Sequence, residues 1–244
     1  ERPFVRDLAA LFRRQSELLV PFVRQLESRR FGAAQLPQGS DDAITVESLR
    51  VLKRTRSAME RVFRTRFSKA VAGSMKINHG VVQVGAQVDT RLFNKITQEF
   101  LEGHLPTLVG RIEDETLRRV SRLVSRSVEK GSSTGQLAEN VRGLFRNMSK
   151  TRSRVIAQTE IGMAQSVADF TAAERVDLDL VKIWSNSRDD RVRPSHQIRE
   201  VRETPDRFSN GLLYPLEPGA PASEIIRCRC TILYVPRDEV SRYV

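Results

Sequence analysis

Residues 225–235 of the chain read IIRCRCTILYV, a run of apolar and β-branched side chains interrupted by two cysteines. This composition predicts a β-strand, in which successive side chains point to opposite faces. A second run, LVKIWS at residues 180–185, predicts a further strand and carries Trp184, the chain's single tryptophan. One face of the first predicted strand carries Ile226, Cys228, Cys230, Ile232 and Tyr234.

Upstream of Leu178 the pattern is helical instead, because apolar residues recur at intervals of three and four. Pro21 is expected to kink the first predicted helix or to split it into two, and Gly103 with Pro106 to end the third. Loops or extended segments are predicted at Phe31 to Asp42 and Gly73 to Asp89. The predicted helices are Pro3 to Arg30, Thr45 to Ala72, Asp89 to Phe100, Thr107 to Lys130, a short one from Thr134, and Ser149 to Val176.

These patterns predict an α+β fold. A mostly helical N-terminal part with long helices, residues 1–133, precedes a small C-terminal α+β unit with a few short strands, residues 134–244. No run approaches the ~18 apolar residues that a membrane-spanning helix needs, so no span is expected.

The chain is strongly basic, with 41 Lys and Arg against 30 Asp and Glu and a net charge of +11. Arginine binds phosphate and carboxylate groups bidentately, so the balance favours a nucleic-acid or acidic-protein partner. The alternative is that the charges are simply solvated. The candidate phosphate-binding residues lie on two predicted helices and are Arg50, Arg54, Arg61, Arg64, Arg118, Arg122 and Arg126.

Cys228 and Cys230 admit two interpretations. They are either small core residues packed beneath Trp184, since free cysteine is among the most buried residue types, or ligands of a zinc ion. A zinc site would take the two thiolates, His196 and a carboxylate from Asp189 or its neighbour. The first interpretation requires no cofactor.

Catalytic chemistry has little support in the sequence. No nucleophile and base occur at a recognisable spacing, and no glycine-rich loop could cradle a phosphate. We therefore expect a protein that acts by binding, without turnover. The competing hypothesis is a metal-dependent hydrolase that uses Asp189, Asp190 and His196.

The combined order of these motifs resembles the Mu F-type phage head morphogenesis domain, also described as the minor head protein family of tailed phages. The resemblance covers about Thr134 to Val235. The family often has an asparagine before the first cysteine, where this chain has Arg227. The residues that carry the resemblance are Thr159, Glu160, Trp184, Asp189, Arg191, Arg193, His196, Cys228 and Cys230.

The resemblance implies a virion component, made in the host cytoplasm, that associates with the portal protein at the special vertex of the head. It implies a role in head assembly and in genome packaging or delivery, with packaged DNA, scaffold or major capsid protein as further partners. Residues 1–133 would then be a region associated with the portal or with DNA. Because the first predicted helix must bury its apolar stripe, we expect it to dock on the portal through Phe12, Leu19 and Phe22.

Overall fold

The computed structural model of the protein describes residues 2–29, 40–77, 90–175 and 178–243. Most of the loop predicted at Phe31 to Asp42, and most of the extended segment predicted at Gly73 to Asp89, lie outside these residues. The predicted α+β fold is confirmed, with long N-terminal helices and a small antiparallel sheet near the C-terminus. Among the described residues, no helix has the length and apolarity needed to cross a membrane.

The helices and strands of the described residues have the following bounds. The helices are α1 (Arg2–Arg29), α2 (Ser40–Ile77), α3 (Thr90–Glu129), α4 (Thr134–Asn147), α5 (Ser153–Arg175) and the short α6 (Ala222–Ile225). The strands are β1 (Leu180–Ser185), β2 (Val201–Glu203) and β3 (Thr231–Pro236). A π-helical turn covers Met148–Arg152, and 3₁₀ turns cover Pro194–His196 and Arg237–Arg242.

The chain divides into two compact units, and each consists of two separate segments. Unit 1 comprises Glu1–Arg64 and Gly103–Arg154, and unit 2 comprises Thr65–Glu102 and Val155–Val244. Within each unit, contacts join segments that are distant in the sequence. The boundary predicted near residue 133 stays a prediction.

Unit 1 is helical, and its core is built on the apolar side of α1. Phe4 of α1 packs edge-on against Phe63 of α2, with ring centroids 5.1 Å apart. Deeper in the core, the Gln15 side chain donates a 2.9 Å hydrogen bond to the hydroxyl of Thr55. The side chains of α1 that are at most 1% exposed include Phe4, Leu8, Phe12, Leu19 and Val23.

Arg152, the last residue of the π-helical turn, links three helical elements of unit 1. Its guanidinium donates to the hydroxyl of Thr116 and to the carbonyl oxygen of Ile112, both in α3, and lies 5.6 Å from the ring centroid of Phe12. Burial lowers the pKa of Arg152 to about 10. A buried arginine must be hydrogen-bonded, so these partners fix where the turn packs.

Unit 2 contains the sheet, with strand order β2-β1-β3 and antiparallel pairing throughout. In β1, Lys182 and Trp184 face one side, while Val181 and Ile183 face the other. All four side chains are buried, so both faces of this central strand are covered. The larger core cluster of unit 2 consists of Met163, Trp184, Phe208, Leu212, Leu216, Cys228 and Cys230.

The helix break predicted at Gly103 and Pro106 is wrong. The helix continues through Gly103 and Pro106, and α3 runs unbroken from Thr90 to Glu129. A proline inside a helix removes one backbone hydrogen bond, and burial of the neighbouring apolar side chains offsets that loss. Those buried neighbours are Leu101, Leu105, Leu108 and Val109.

The helix start predicted at Ser149 is also wrong, because the π-helical turn joins α4 directly to α5. The Ser149 hydroxyl is buried and donates to the carbonyl oxygen of Phe145 within the continuing helix. The helix predicted from Thr134 is present, but the residue that caps it is Ser133, which forms a capping box with Gln136.

Both predicted strands are present, but one of them is shorter than predicted. The run at residues 180–185 forms β1, as predicted. The run at 225–235 forms a strand only from Thr231 onward, because Ala222–Ile225 is helical and Ile226 is 44% exposed. Strand β2 was not predicted, since three residues of mixed polarity carry no periodic signal.

Candidate functional site

The segment Cys228-Arg229-Cys230 lies between α6 and β3 in unit 2, with both cysteine side chains buried and Arg229 turned outward. The backbone enters it through Arg227, whose φ angle of 60° lies in the left-handed region. The hydroxyl of Thr159, on α5, accepts a 3.1 Å hydrogen bond from the Arg227 backbone N–H. Helix α5, which carries the motif residues Thr159 and Glu160, therefore fixes the backbone immediately before Cys228.

His196 meets both cysteines. The ring is 1% exposed, and its Nδ1 lies 3.5 Å from the sulfur of Cys228 and 3.6 Å from the sulfur of Cys230. Its other nitrogen, Nε2, lies 2.8 Å from a carboxylate oxygen of Glu224, on α6. The Asn186 side chain also donates to the backbone carbonyl of His196. The two ring nitrogens thus face different partners, sulfur on one side and carboxylate on the other.

Trp184 covers this cluster from β1. Its ring centroid lies 5.1 Å from that of His196 and 5.2 Å from that of Phe208, both in edge-on geometry. The indole N–H is buried and has no hydrogen-bond partner among the described residues. The family residues Trp184, His196, Cys228 and Cys230 therefore pack into one site.

Asp189 does not join the cysteines and histidine. Its two carboxylate oxygens accept hydrogen bonds of 2.6 and 2.7 Å from the guanidinium of Arg229, and a third comes from the backbone N–H of Arg191. The Arg229 guanidinium holds the pKa of the Asp189 carboxyl well below its usual range. Asp189 thus anchors the residue between the two cysteines.

Arg193 and Ser195 complete the support of this site. The Arg193 guanidinium donates to the carbonyl oxygen of Ile226, and the Ser195 hydroxyl donates to Glu224 at 2.9 Å. Glu224 therefore accepts from Ser195 on the same oxygen that faces His196. Asp190, which the hydrolase hypothesis needs, is exposed.

Each of the two cysteines affects the pKa of the other. The hydrogen bond between them lowers the pKa of Cys228, and His196 lowers it further. The same contact, together with burial, raises the pKa of Cys230.

The candidate phosphate-binding arginines all lie in unit 1 and are exposed. Several are engaged by neighbouring acids: Arg50 pairs with Glu47, while Arg118 and Arg122 lie within 4.0 Å of Glu115. Arg54, Arg61 and Arg126 are exposed, and none forms an ion pair with another described residue. Arg64 is exposed as well.

Two of the three predicted portal-docking residues point into the core of unit 1. Phe12 is fully buried and Leu19 is 1% exposed, so their side chains stabilise the unit and offer no surface. Phe22 is half-buried. The apolar stripe of α1 is covered by its own chain.

A basic groove in unit 1 was not predicted. Its volume is about 740 Å³, and α1, α4 and the π-helical turn line it. A spacing of four residues between Arg142, Arg146 and Lys150 could have indicated one basic face here. The residues that line the groove are Arg13, Ser16, Glu17, Val20, Pro21, Arg24, Arg142, Phe145, Arg146, Ser149 and Lys150.

Two residues that matter in unit 2 were also missed. Glu224 comes from a short helix, and no pattern links it to a histidine 28 residues earlier. Lys182 is fully buried, donates to the carbonyl oxygen of Leu213 and lies over the ring of Phe208. Burial lowers the pKa of Lys182 to about 8. A lone lysine within an apolar strand could have indicated this position.

The chain is similar to a known protein family. Residues 118–233 match the family described as Phage Mu protein F like protein, which confirms the resemblance drawn from the motifs. No curated protein and no solved structure matches the chain. The matched range contains every residue of the cysteine and histidine cluster.

Proposed function

We propose that this chain, whose residues 118–233 match the Phage Mu protein F-like family, is a minor head protein that joins the portal vertex during head assembly. The family match supports a phage head morphogenesis protein in the virion. The portal is the partner that a basic docking surface on unit 1 favours. The protein acts by binding and catalyses no reaction.

The basic groove of unit 1 is the observation that carries the portal contact. Five of its lining residues are cationic and one, Glu17, is acidic. Arg24 and Arg142 both approach Glu139, which offsets part of the charge. The remaining cations, Arg13, Arg146 and Lys150, form no ion pair with another described residue. Their positive charges are therefore available to a binding partner.

Apolar side chains line the same groove beside these cations, namely Val20, Pro21 and Phe145. Mixed apolar and cationic lining suits an acidic protein segment that also carries apolar side chains. Charge complementarity at such a contact raises the association rate and sets specificity. An acidic segment of the portal protein is therefore the occupant we assign to the groove.

The test compares two double variants with equal changes in net charge. Arg146→Glu with Lys150→Glu reverses charge in the groove, while Arg175→Glu with Arg199→Glu does so at exposed positions of unit 2. We expect the groove variant to lose at least tenfold in affinity for the portal protein of the same phage, and the unit 2 variant to bind like the wild type. Equal binding by the two variants would contradict the assignment.

Deletion of α1 is not a suitable test, because it removes buried core residues as well as the groove. Phe4, Leu8 and Phe12 are each at most 1% exposed, and losing them would unfold unit 1. Variants of exposed charged residues leave that core in place.

A second function, contact with packaged DNA, is favoured by the distribution of charge. The segments of unit 1 contain 24 Lys and Arg against 13 Asp and Glu, whereas those of unit 2 contain 17 of each. The whole net charge of +11 therefore belongs to unit 1. Phosphate contacts release counterions, so binding should be independent of sequence and should weaken steeply between about 50 and 200 mM salt.

Arg54 and Arg61 on α2 provide the test of this function. Arg54→Gln with Arg61→Gln should reduce the slope of log K against log salt by about 2, one for each lost phosphate contact. Arg175→Gln with Arg199→Gln serves as the control, with an unchanged slope. Fluorescence anisotropy on duplex DNA measures both. An unchanged slope in the α2 variant would show that Arg54 and Arg61 do not contact DNA phosphates.

A further inference from the structure

We propose that His196, Cys228 and Cys230 bind one zinc ion, with His196 coordinating through Nδ1 and Glu224 hydrogen-bonded to the opposite ring nitrogen. The three ligand atoms lie within 4.8 Å of one another, and all three residues are buried. The site is separate from the basic groove and does not depend on portal or DNA binding.

The two nitrogen–sulfur distances match a tetrahedral zinc ion. With Zn–S of about 2.3 Å and Zn–N of about 2.0–2.1 Å, a tetrahedral angle places nitrogen and sulfur about 3.6 Å apart. The distances from Nδ1 of His196 to the sulfurs of Cys228 and Cys230 are 3.5 and 3.6 Å. The two sulfur atoms lie within 4.8 Å of each other, and coordination to one zinc ion would bring them to about 3.8 Å.

Hydrogen bonding alone does not account for this arrangement as well as a metal does. One imidazole nitrogen carries either one hydrogen or one lone pair, so Nδ1 of His196 can form one good hydrogen bond. Two sulfurs, those of Cys228 and Cys230, nevertheless lie at the same distance from it. A single ion satisfies all three atoms together.

Glu224 supplies an independent observation. Metal-bound histidines usually donate their second ring N–H to a carboxylate, which fixes the tautomer and the ring orientation. Nε2 of His196 lies 2.8 Å from Glu224, and Ser195 donates to the same carboxylate oxygen at 2.9 Å. With the proton on Nε2, the lone pair of Nδ1 points at the two sulfurs.

The surroundings hold the ligands in place before any metal arrives. Asp189 fixes Arg229 between the cysteines, and Thr159 fixes the backbone of Arg227 ahead of them. The unpartnered indole N–H of Trp184 belongs to the same cluster and is a donor suited to a thiolate ligand. Three protein ligands leave a fourth tetrahedral position, which we assign to water.

A thiol nucleophile is the competing use of the same residues. Cys228, His196 and Glu224 could align as nucleophile, base and orienting group. That alignment gives Cys230 no role, although its sulfur is as close to Nδ1 as that of Cys228. The two uses predict opposite responses to metal and to alkylation.

The experiment measures metal in the purified full-length chain. Elemental analysis should give about one zinc per wild-type chain and none in Cys228→Ser, Cys230→Ser or His196→Ala. Because these variants could fail to fold, Co²⁺ is also added to chelator-treated wild type, where thiolate-to-cobalt charge transfer and tetrahedral d–d bands should appear. Glu224→Gln should keep the stoichiometry and weaken affinity about 10–100-fold.

Phe208→Leu is the matched control, because Phe208 lies in the same core cluster but offers no ligand atom. It should retain one zinc per chain. Folded wild type without stoichiometric zinc and without a cobalt spectrum would overturn the proposal. So would a melting temperature unchanged by chelation, or rapid alkylation of Cys228 by iodoacetamide in the zinc-treated protein.

Discussion

At the scale of single residues, several residues of the motif hold the segment Ile226 to Cys230 in place. Thr159 holds the backbone before Cys228, Asp189 holds the side chain between the cysteines, and Arg193 holds the carbonyl of Ile226. Their positions explain why the motif residues are spread over 70 positions of sequence and still belong to one site.

Arg227 is one of three described non-glycine residues with a positive φ angle, the others being Arg188 and Leu216. Its φ of 60° lies in the left-handed region, where an asparagine is tolerated better than an arginine. Arg227→Asn should therefore raise the free energy of unfolding by about 0.5–1 kcal/mol, while the Arg227 N–H still donates to Thr159. Urea denaturation measures the change.

Arg199→Asn is the control for that substitution, since Arg199 is exposed and does not have a positive φ. Its effect should stay within about 0.5 kcal/mol. If the two variants have the same stability, backbone strain at residue 227 is not what the asparagine of the family relieves.

The sequence identified the uncommon residues of the site and missed their partners. Rare residue types are recognisable as candidate site residues from sequence alone, and this applies to Cys228, Cys230, His196 and Trp184. Glu224 is one of many acidic residues, and only folding brings it to His196. The sequence-based zinc hypothesis includes Asp189 as a possible carboxylate ligand, but its carboxylate is hydrogen-bonded to Arg229 outside the cluster.

At the scale of elements, helix type was predictable and helix ends were not. Apolar residues at helical spacing identified α1, α2 and α5, because that periodicity follows directly from the helix geometry. The breaks placed at Pro106 and Ser149 rested on local propensity alone. Burial of Leu105 and Val109 outweighs the lost hydrogen bond in α3, and a π-helical turn absorbs the junction at Ser149.

Pro106 is expected to lower the stability of α3 although the helix tolerates it. Its side chain is exposed, and the missing N–H leaves the carbonyl of Glu102 without its helical donor. Pro106→Ala should raise the free energy of unfolding by about 1–3 kcal/mol. Thermal and urea unfolding followed by circular dichroism at the helical signal measure the gain.

Thr107→Ala is the matched substitution, on the exposed residue next to Pro106. It changes helix propensity but restores no hydrogen bond, so its gain should stay below about 0.7 kcal/mol. If both substitutions raised the free energy of unfolding equally, the hydrogen bond that Pro106 removes would not measurably destabilise α3.

At the scale of the whole molecule, the two units differ in net charge. Unit 1 carries the net charge and the basic groove, whereas the segments of unit 2 are balanced and contain the cysteine and histidine cluster. The sequence revealed the total charge, but the division into discontinuous units, and with it the location of that charge, depends on long-range contacts. This separation favours unit 1 as the surface for acidic partners.

The most direct test of the central claim is quantitative mass spectrometry of DNA-filled heads purified from the phage that encodes this chain, alongside heads from a mutant with the gene interrupted. The account predicts a fixed, small number of copies of the chain per wild-type head. It also predicts that heads without the chain are defective in assembly or packaging. Absence of the chain from purified heads, or normal assembly and packaging by the mutant, would contradict the assignment as a minor head protein.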